Sequence, residues 1–374
     1  MKGNRVKKFM ILAALVATAP LPIAATARDD MPFDRYSEDT LTLAVFGDWP
    51  YGDVLLNSAQ LLLNSVNSDP KVRLVLHVGD IHSGSQPCTG VGLNPPPSGS
   101  QPGYNQLVFN LFEQFEDPLV YTPGDNEWTD CHRTKEFSSG APLNELAAVR
   151  RLFFPAPGET LGFRKKRVLT QAEHFSRVYP SDAQFVENVM WEDSRVVFVT
   201  VNMPGSNNDG LKWTAPYTDE TARTREAAQR TLAGIRWLQA AFAKAEEDDA
   251  KAVLIGLQAD MWDPAALVSG GDGLGNYAIF VHELANLARH FRRPVLLING
   301  DSHVLGSDRP LADPASPTGL VYGTPAVSNL TRITVQGSTS APAEWLRLTI
   351  NPHTPEVFSW ENVVYCANPA VACP

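Results

Sequence analysis

The chain has 374 residues, 44% of them hydrophobic, with 31 Lys and Arg against 41 Asp and Glu and a formal net charge of −10. That apolar share excludes a disordered chain, and the length allows one large α/β domain or two small ones. The acidic balance excludes nucleic-acid binding by a basic patch and docking on an anionic membrane surface, since both need clustered Lys and Arg.

Residues 1–27 read as a secretory signal peptide. Basic Lys2, Arg5, Lys7 and Lys8 precede an apolar stretch over 9–17, a break at Pro20 and Pro22, and the small-residue end Ala25-Thr26-Ala27, with cleavage before Arg28. The prolines cut the run short of the roughly 20 apolar residues a membrane span needs. The expectation is a secreted or periplasmic protein, more acidic once the leader is lost and without membrane attachment after cleavage. Residues 28–374 read as a single domain, because no repeat or polar linker divides them.

Short branched-aliphatic runs at 41–46, 72–78, 119–122, 196–201, 252–257 and 295–298 predict buried strands. Between them, helical patterns occupy 53–67, 105–115, 143–153, 219–247 and 277–291. This alternation predicts an α/β layered sandwich, with central mixed β-sheets flanked by helices. After Ser328, the segments 332–335, 345–350 and 357–360 read as antiparallel strands closing the domain. Residues 83–103, rich in Gly, Pro and Ser, read as a long ordered loop.

Export makes the four cysteines read as disulfides. Cys366 with Cys373 would pin the C-terminal end, leaving Cys88 with Cys131 to tie two loops together, although spacing alone permits the other two pairings. No Cys-x-x-Cys occurs, which argues against a thiolate zinc site.

Four strand-like runs end in glycine followed by a carboxylate: Gly47-Asp48, Gly79-Asp80, Gly124-Asp125 and Gly300-Asp301. One Gly-Asp pair is ordinary turn chemistry. Four of them after buried strands place acids on one sheet edge, where mutual repulsion calls for a cation. His303, two residues beyond Asp301, adds an imidazole ligand.

The order Phe46-Gly47-Asp48, Gly79-Asp80, Gly124-Asp125-Asn126-Glu127, a strand ending at Gln258, then Gly300-Asp301-Ser302-His303 resembles the calcineurin-like metallophosphoesterases, which include the purple acid phosphatases. The resemblance spans about two thirds of the chain. It implies a metallophosphoesterase-like sandwich, a hydrolase acting on a small phosphorylated substrate, and metal ligands at Asp48, Asp80, Asp125, Gln258, Asp301 and His303. Several positions depart from the family pattern. Pro50, Asn126, Gln258 and Asp301 each stand where the family has histidine, and Asp125 stands where it has asparagine. Exchange of nitrogen for oxygen favours one or two hard divalent ions, Mg²⁺, Mn²⁺ or Ca²⁺, over Fe or Zn. Asn126 takes the position that meets the phosphoryl group but cannot transfer a proton, so His82 or His132 is the candidate for the leaving group. The competing expectation is a binding protein that keeps this scaffold without turnover.

Trp49, Trp128 and Trp262 lie close to proposed site positions and read as cleft wall or, preferably, as packing beneath the loops. The basic run Arg164-Lys165-Lys166-Arg167 reads as a solvated loop, and His77 as a buried strand residue.

Overall fold

The computed structural model describes residues 39–88 and 103–367. The leader, the middle of the Gly/Pro-rich loop and the Cys366–Cys373 pairing lie outside the described residues. The strands are β1 (Leu41–Phe46), β2 (Val72–His77), β3 (Leu119–Tyr121), β4 (Leu169–Thr170), β5 (Val189–Asp193), β6 (Val196–Thr200), β7 (Ala252–Gly256), β8 (Val295–Asn299), β9 (Gly306–Asp308), β10 (Leu330–Thr334), β11 (Ala343–Ile350) and β12 (Phe358–Cys366). They form a five-stranded sheet in the order β12-β11-β1-β2-β3 and a seven-stranded sheet in the order β4-β5-β6-β7-β8-β10-β9. Both are mixed: β1, β2 and β3 run parallel, as do β6, β7, β8 and β10, while antiparallel strands close the edges.

Strand alternation explains the layering. Leu43 and Val45 of β1 meet Phe198, Leu254 and Ile298 of the other sheet, whereas Ala44 and Phe46 face the helices. Helices Ala59–Asn67, Tyr104–Phe112 and Pro142–Phe153 cover the five-stranded sheet, and Glu220–Glu247 and Ala278–Phe291 cover the seven-stranded one. The result is a helix, sheet, sheet, helix sandwich. Strands buried on both faces need continuous apolar runs, which is why the sequence marks them well. Among the described residues, no helix is long and apolar enough to cross a membrane.

Two expectations are corrected, and strands β4, β5 and β9 are added. The helix predicted over 53–67 is two helices, Gly52–Asn57 and Ala59–Asn67. They part at Ser58, whose hydroxyl donates to the Val54 carbonyl at 2.8 Å and competes with the backbone ladder. The strand predicted at 332–335 is β10, which pairs in parallel with β8 and antiparallel only with β9. Gly306-Ser307-Asp308 carries no apolar alternation to announce β9. The β4–β5 pair was likewise not predicted; β5 reads Val-Met-Trp-Glu-Asp and pairs antiparallel with β6 across the turn at Ser194 and Arg195.

Candidate functional site

The parallel strands deliver their carboxyl ends to one rim of the sandwich. Asp48 follows β1, Asp80 follows β2, Asp125 follows β3, Gln258 follows β7, and Asp301 with His303 follows β8. Asp48, Asp80, Asp301 and His303 have φ of 49, 59, 75 and 62°, so four of the proposed ligands sit in left-handed backbone, a strain that clusters at functional sites. Two glycines explain how the acids fit. A Cβ on Gly124 would lie 1.9 Å from Asp80 Oδ1, and one on Gly300 would lie 2.5 Å from Asp48 Oδ2. Each Gly-Asp step thus supplies one acid and leaves room for its neighbour.

The loops are tied to one another through these groups. Asp48 N–H donates to the Gly79 carbonyl at 2.8 Å, and Trp49 N–H to the Asp80 carbonyl at 2.9 Å. Across the sheets, Asp301 N–H donates to Asp48 Oδ1 and Oδ2, and Asp260 N–H donates to Asp301 Oδ2 at 3.0 Å. Glu127, fully buried beneath the rim, accepts from Ile81 N–H at 3.1 Å, Tyr121 O–H at 2.8 Å and Gly124 N–H at 3.2 Å. It clamps the second and third acidic loops together.

Burial pushes the Asp48 carboxyl up to about 8, although the Asp301 N–H pulls the other way. Burial first, and then the charges of Asp125 and Glu127, hold Asp80 well above the usual carboxylate range; burial and Asp125 do the same to Asp301. Burial lowers His303, whose Nε2 lies 3.6 Å from Asp48 Oδ1 while its Nδ1 meets Thr339 Oγ1 at 2.9 Å. Such a set takes either protons or a cation.

Neutral donors bridge these acids. Tyr51 O–H reaches Asp48 Oδ1 at 3.3 Å and Asp80 Oδ2 at 3.2 Å. Gln258 Nε2 donates to Asp80 Oδ2 at 3.2 Å and Asp125 Oδ1 at 3.0 Å, and its Oε1 accepts from Gly205 N–H. Asn126 Nδ2 donates to Asp80 Oδ2 at 2.9 Å and to the His82 carbonyl at 3.0 Å. Among the described residues, one group of three or more His, Cys, Asp or Glu brings its ligand atoms within 4.8 Å: Cys88, Cys131 and Glu136. Those cysteines form a disulfide with Cα atoms 5.7 Å apart, so that trio is no metal site. The rim acids converge more loosely, with Tyr51 and Gln258 between them.

The rim opens into a cavity of about 330 Å³ whose lining includes Asp80, Asp125, Asn126, Asp301 and His303 together with Arg133 and Lys135. Sequence reasoning missed the two cations, along with Tyr51, Asp260 and Ser206. Ser206 belongs to a left-handed turn in which Ser206, Asn207, Asn208 and Asp209 have φ of 52, 54, 59 and 59°. That turn brings its hydroxyl to Asp125 Oδ2 at 2.5 Å. The Asn-rich stretch after β6 was its only sequence signal, and of those asparagines Asn207 lines the cavity, whereas Asn208 bonds to Thr231 and Asn202 to Glu187.

No protein-family model and no curated protein matches the chain. Among solved structures it is similar to GAP50, the anchor in the inner membrane complex of Plasmodium, at 10% sequence identity over 88% of this chain and 90% of that one, with a TM-score of 0.41.

The remaining candidates take varied places. His82 and His132 are buried rather than exposed on loops, and burial lowers each to about 4. His82 meets the site through its carbonyl; its ring does not line the cavity, and its Nε2 has no partner. The His132 ring accepts from Thr214 N–H at 3.0 Å and is committed to loop packing. His77 is buried against the Trp49 carbonyl. All three tryptophans are packing: Trp49 against Phe46, Trp128 under the Arg230 guanidinium, and Trp262 against Tyr322. Arg164, Lys165 and Lys166 pair with Asp117, Glu113 and Asp193 on the surface.

Proposed function

We propose that this chain is an exported, metal-dependent phosphoesterase of the calcineurin-like type that hydrolyses a phosphomonoester or phosphodiester. The observation carrying this reading is the convergence of five strand-end groups on one rim, where Asp80, Asp125, Asp301 and His303 line the cavity and Asp48 contacts Asp301 and His303. Their donor set fits a hard divalent ion, because four carboxylates and one imidazole offer oxygen in excess of nitrogen, and because Asp48, Asp80 and Asp301 bear raised proton affinities that a cation would relieve. Asp48, Asp80 and His303 would hold one ion, and Asp80, Asp125, Asp301 and Gln258 a second. Bound there, such an ion supplies Lewis-acid polarisation of a phosphoryl oxygen and an acidified water.

The chain's own groups prepare the site. Asp301 N–H orients Asp48, Asn126 and Gln258 orient Asp80, and Ser206 orients Asp125. Thr339 fixes the His303 ring, in the way that partners behind a ligand set its tautomer. The Cys88–Cys131 disulfide suits the oxidising compartment to which a signal peptide would deliver the chain.

A second reading, a binding protein on the same scaffold, is favoured by Tyr51 and Gln258, which satisfy the carboxylates with neutral donors. Phosphate release from 4-nitrophenyl phosphate and 4-nitrophenol release from bis(4-nitrophenyl) phosphate, with Mg²⁺, Mn²⁺ or Ca²⁺ and after chelation, separate the two. The proposal expects metal-dependent hydrolysis. Metal binding by calorimetry without turnover under any ion would support the binding protein.

A further inference from the structure

Two cations, Arg133 and Lys135, line the otherwise acidic cavity, and Lys135 meets Asn126 over a bare α-carbon. A Cβ built on Gly84 would lie 2.8 Å from Asn126 Oδ1, 2.9 Å from Lys135 Nζ and 3.5 Å from Glu136 Oε1. Gly84, Asn126 and Lys135 all line the cavity. Glu136 is fully buried, and its Oε1 has no hydrogen-bond partner. Three polar atoms therefore converge on a place that any larger residue at position 84 would fill.

The two cations are not equivalent. Arg133 is locked by Asp130 at 2.6 Å, Asp272 at 3.3 Å and Ser206 Oγ at 3.0 Å. Lys135 approaches Asp130 only to 3.6 Å and keeps half of its side chain exposed. Its ammonium is free to turn toward a ligand. Asn126 beside it is an amide and transfers no proton near neutral pH.

We infer that Lys135 donates the leaving-group proton, and that the substrates are phosphate esters of unactivated, alkyl-type alcohols. This rests on the phosphoesterase reading above. Water adds to phosphorus and gives up one proton to solvent, the P–O bond to the alcohol breaks with its electron pair on that oxygen, and a proton passes from Lys135 Nζ to it. The products are phosphate and the neutral alcohol, and the amine regains its proton from solvent. Aryl esters with acidic leaving groups do not need this proton, so an alkyl preference follows from the chemistry. The charged groups around Lys135 are Asp130, Glu136 and Arg133, with Asp272 beyond Arg133. Burial first, and then the Asp130 charge, hold the Glu136 carboxyl well above the usual carboxylate range.

The test compares glycerol 2-phosphate with 4-nitrophenyl phosphate in wild type, K135M, K135R and G84A. In K135M, kcat on the alkyl ester is expected to fall about 100-fold or more, and on the aryl ester by less than about fivefold, with inhibition by inorganic phosphate retained. K135R keeps the charge but its guanidinium does not deprotonate, so it should lose the alkyl ester as K135M does. G84A should show a smaller loss of the same kind. Equal losses on both esters, rescued by K135R, would overturn proton donation in favour of simple charge attraction, and unchanged rates would overturn any role. Wild type inactive on both esters with every ion would instead sink the phosphoesterase reading itself, whatever the variants do.

Discussion

Asp301 N–H donates to both carboxylate oxygens of Asp48, at 3.1 and 3.2 Å, across 253 residues of sequence. The contact joins the end of β1 in one sheet to the end of β8 in the other. Replacing Asp48 by Asn keeps the shape and the accepting oxygen while removing the charge. Because burial raises Asp48 to about 8, the metal-free protein near pH 7 already holds this group mostly protonated. Asp48→Asn should therefore fold within about 1 kcal/mol of wild type while losing metal affinity and at least about 100-fold in hydrolysis. Calorimetric metal titration beside urea denaturation reads both effects.

The raised carboxyls give metal-free protein a definite pH dependence. Asp48 and Asp209 are pushed up to about 8 and Asp130 to about 7, each first by burial. Between about pH 4 and these values the folded chain holds protons that the unfolded chain has released. Their stabilising contribution is complete on the acid side and disappears as pH rises toward 8, so stability should fall across that window. An ion bound to the deprotonated Asp48 should flatten part of the slope. Denaturation midpoints at pH 5 and pH 8, with chelator and with Mn²⁺, give the measurement.

Glu127 has no place in the cavity, yet three donors depend on it. Glu127→Ala would strand Ile81 N–H, Tyr121 O–H and Gly124 N–H in a dry interior, at about 1 kcal/mol or more each. A loss of at least about 3 kcal/mol in urea denaturation is expected, and Glu127→Gln, which retains one acceptor oxygen, should recover part of it.

The Cys88–Cys131 bridge closes a loop with a separation of 43 residues. On chain-entropy grounds, removing it by a double Cys→Ser change should cost about 4 kcal/mol. Cys88 Sγ also lies 3.2 Å from the Asn126 carbonyl, so loosening should reach the site. Thermal denaturation with and without reductant, run beside the phosphate-release assay, would register both consequences.

The strand ends were legible because a strand buried on both faces must be apolar throughout, and the glycines before Asp125 and Asp301 are demanded by the packing of Asp80 and Asp48 against them. Asp48, Asp80, Asp125, Gln258, Asp301 and His303 all reach the same rim. What stayed hidden was whatever depends on backbone path. Lys135 lies within the second of two short 3₁₀ turns and Ser206 within a left-handed turn, neither of which has a periodic pattern. Tyr51 stood three residues from Asp48, but nothing in its spacing tells that its hydroxyl folds back between two carboxylates. Nor does sequence position tell that His82 and His132 are buried, one ring against Tyr104 and the other against Thr214.

β1 lies between β2, which follows it in the chain, and β11, which pairs Ile350 with Leu41. Until residues 343–350 have been made, the strand that carries Asp48 lacks one neighbour, and the growing chain carries an unpaired sheet flank through about three hundred residues of synthesis.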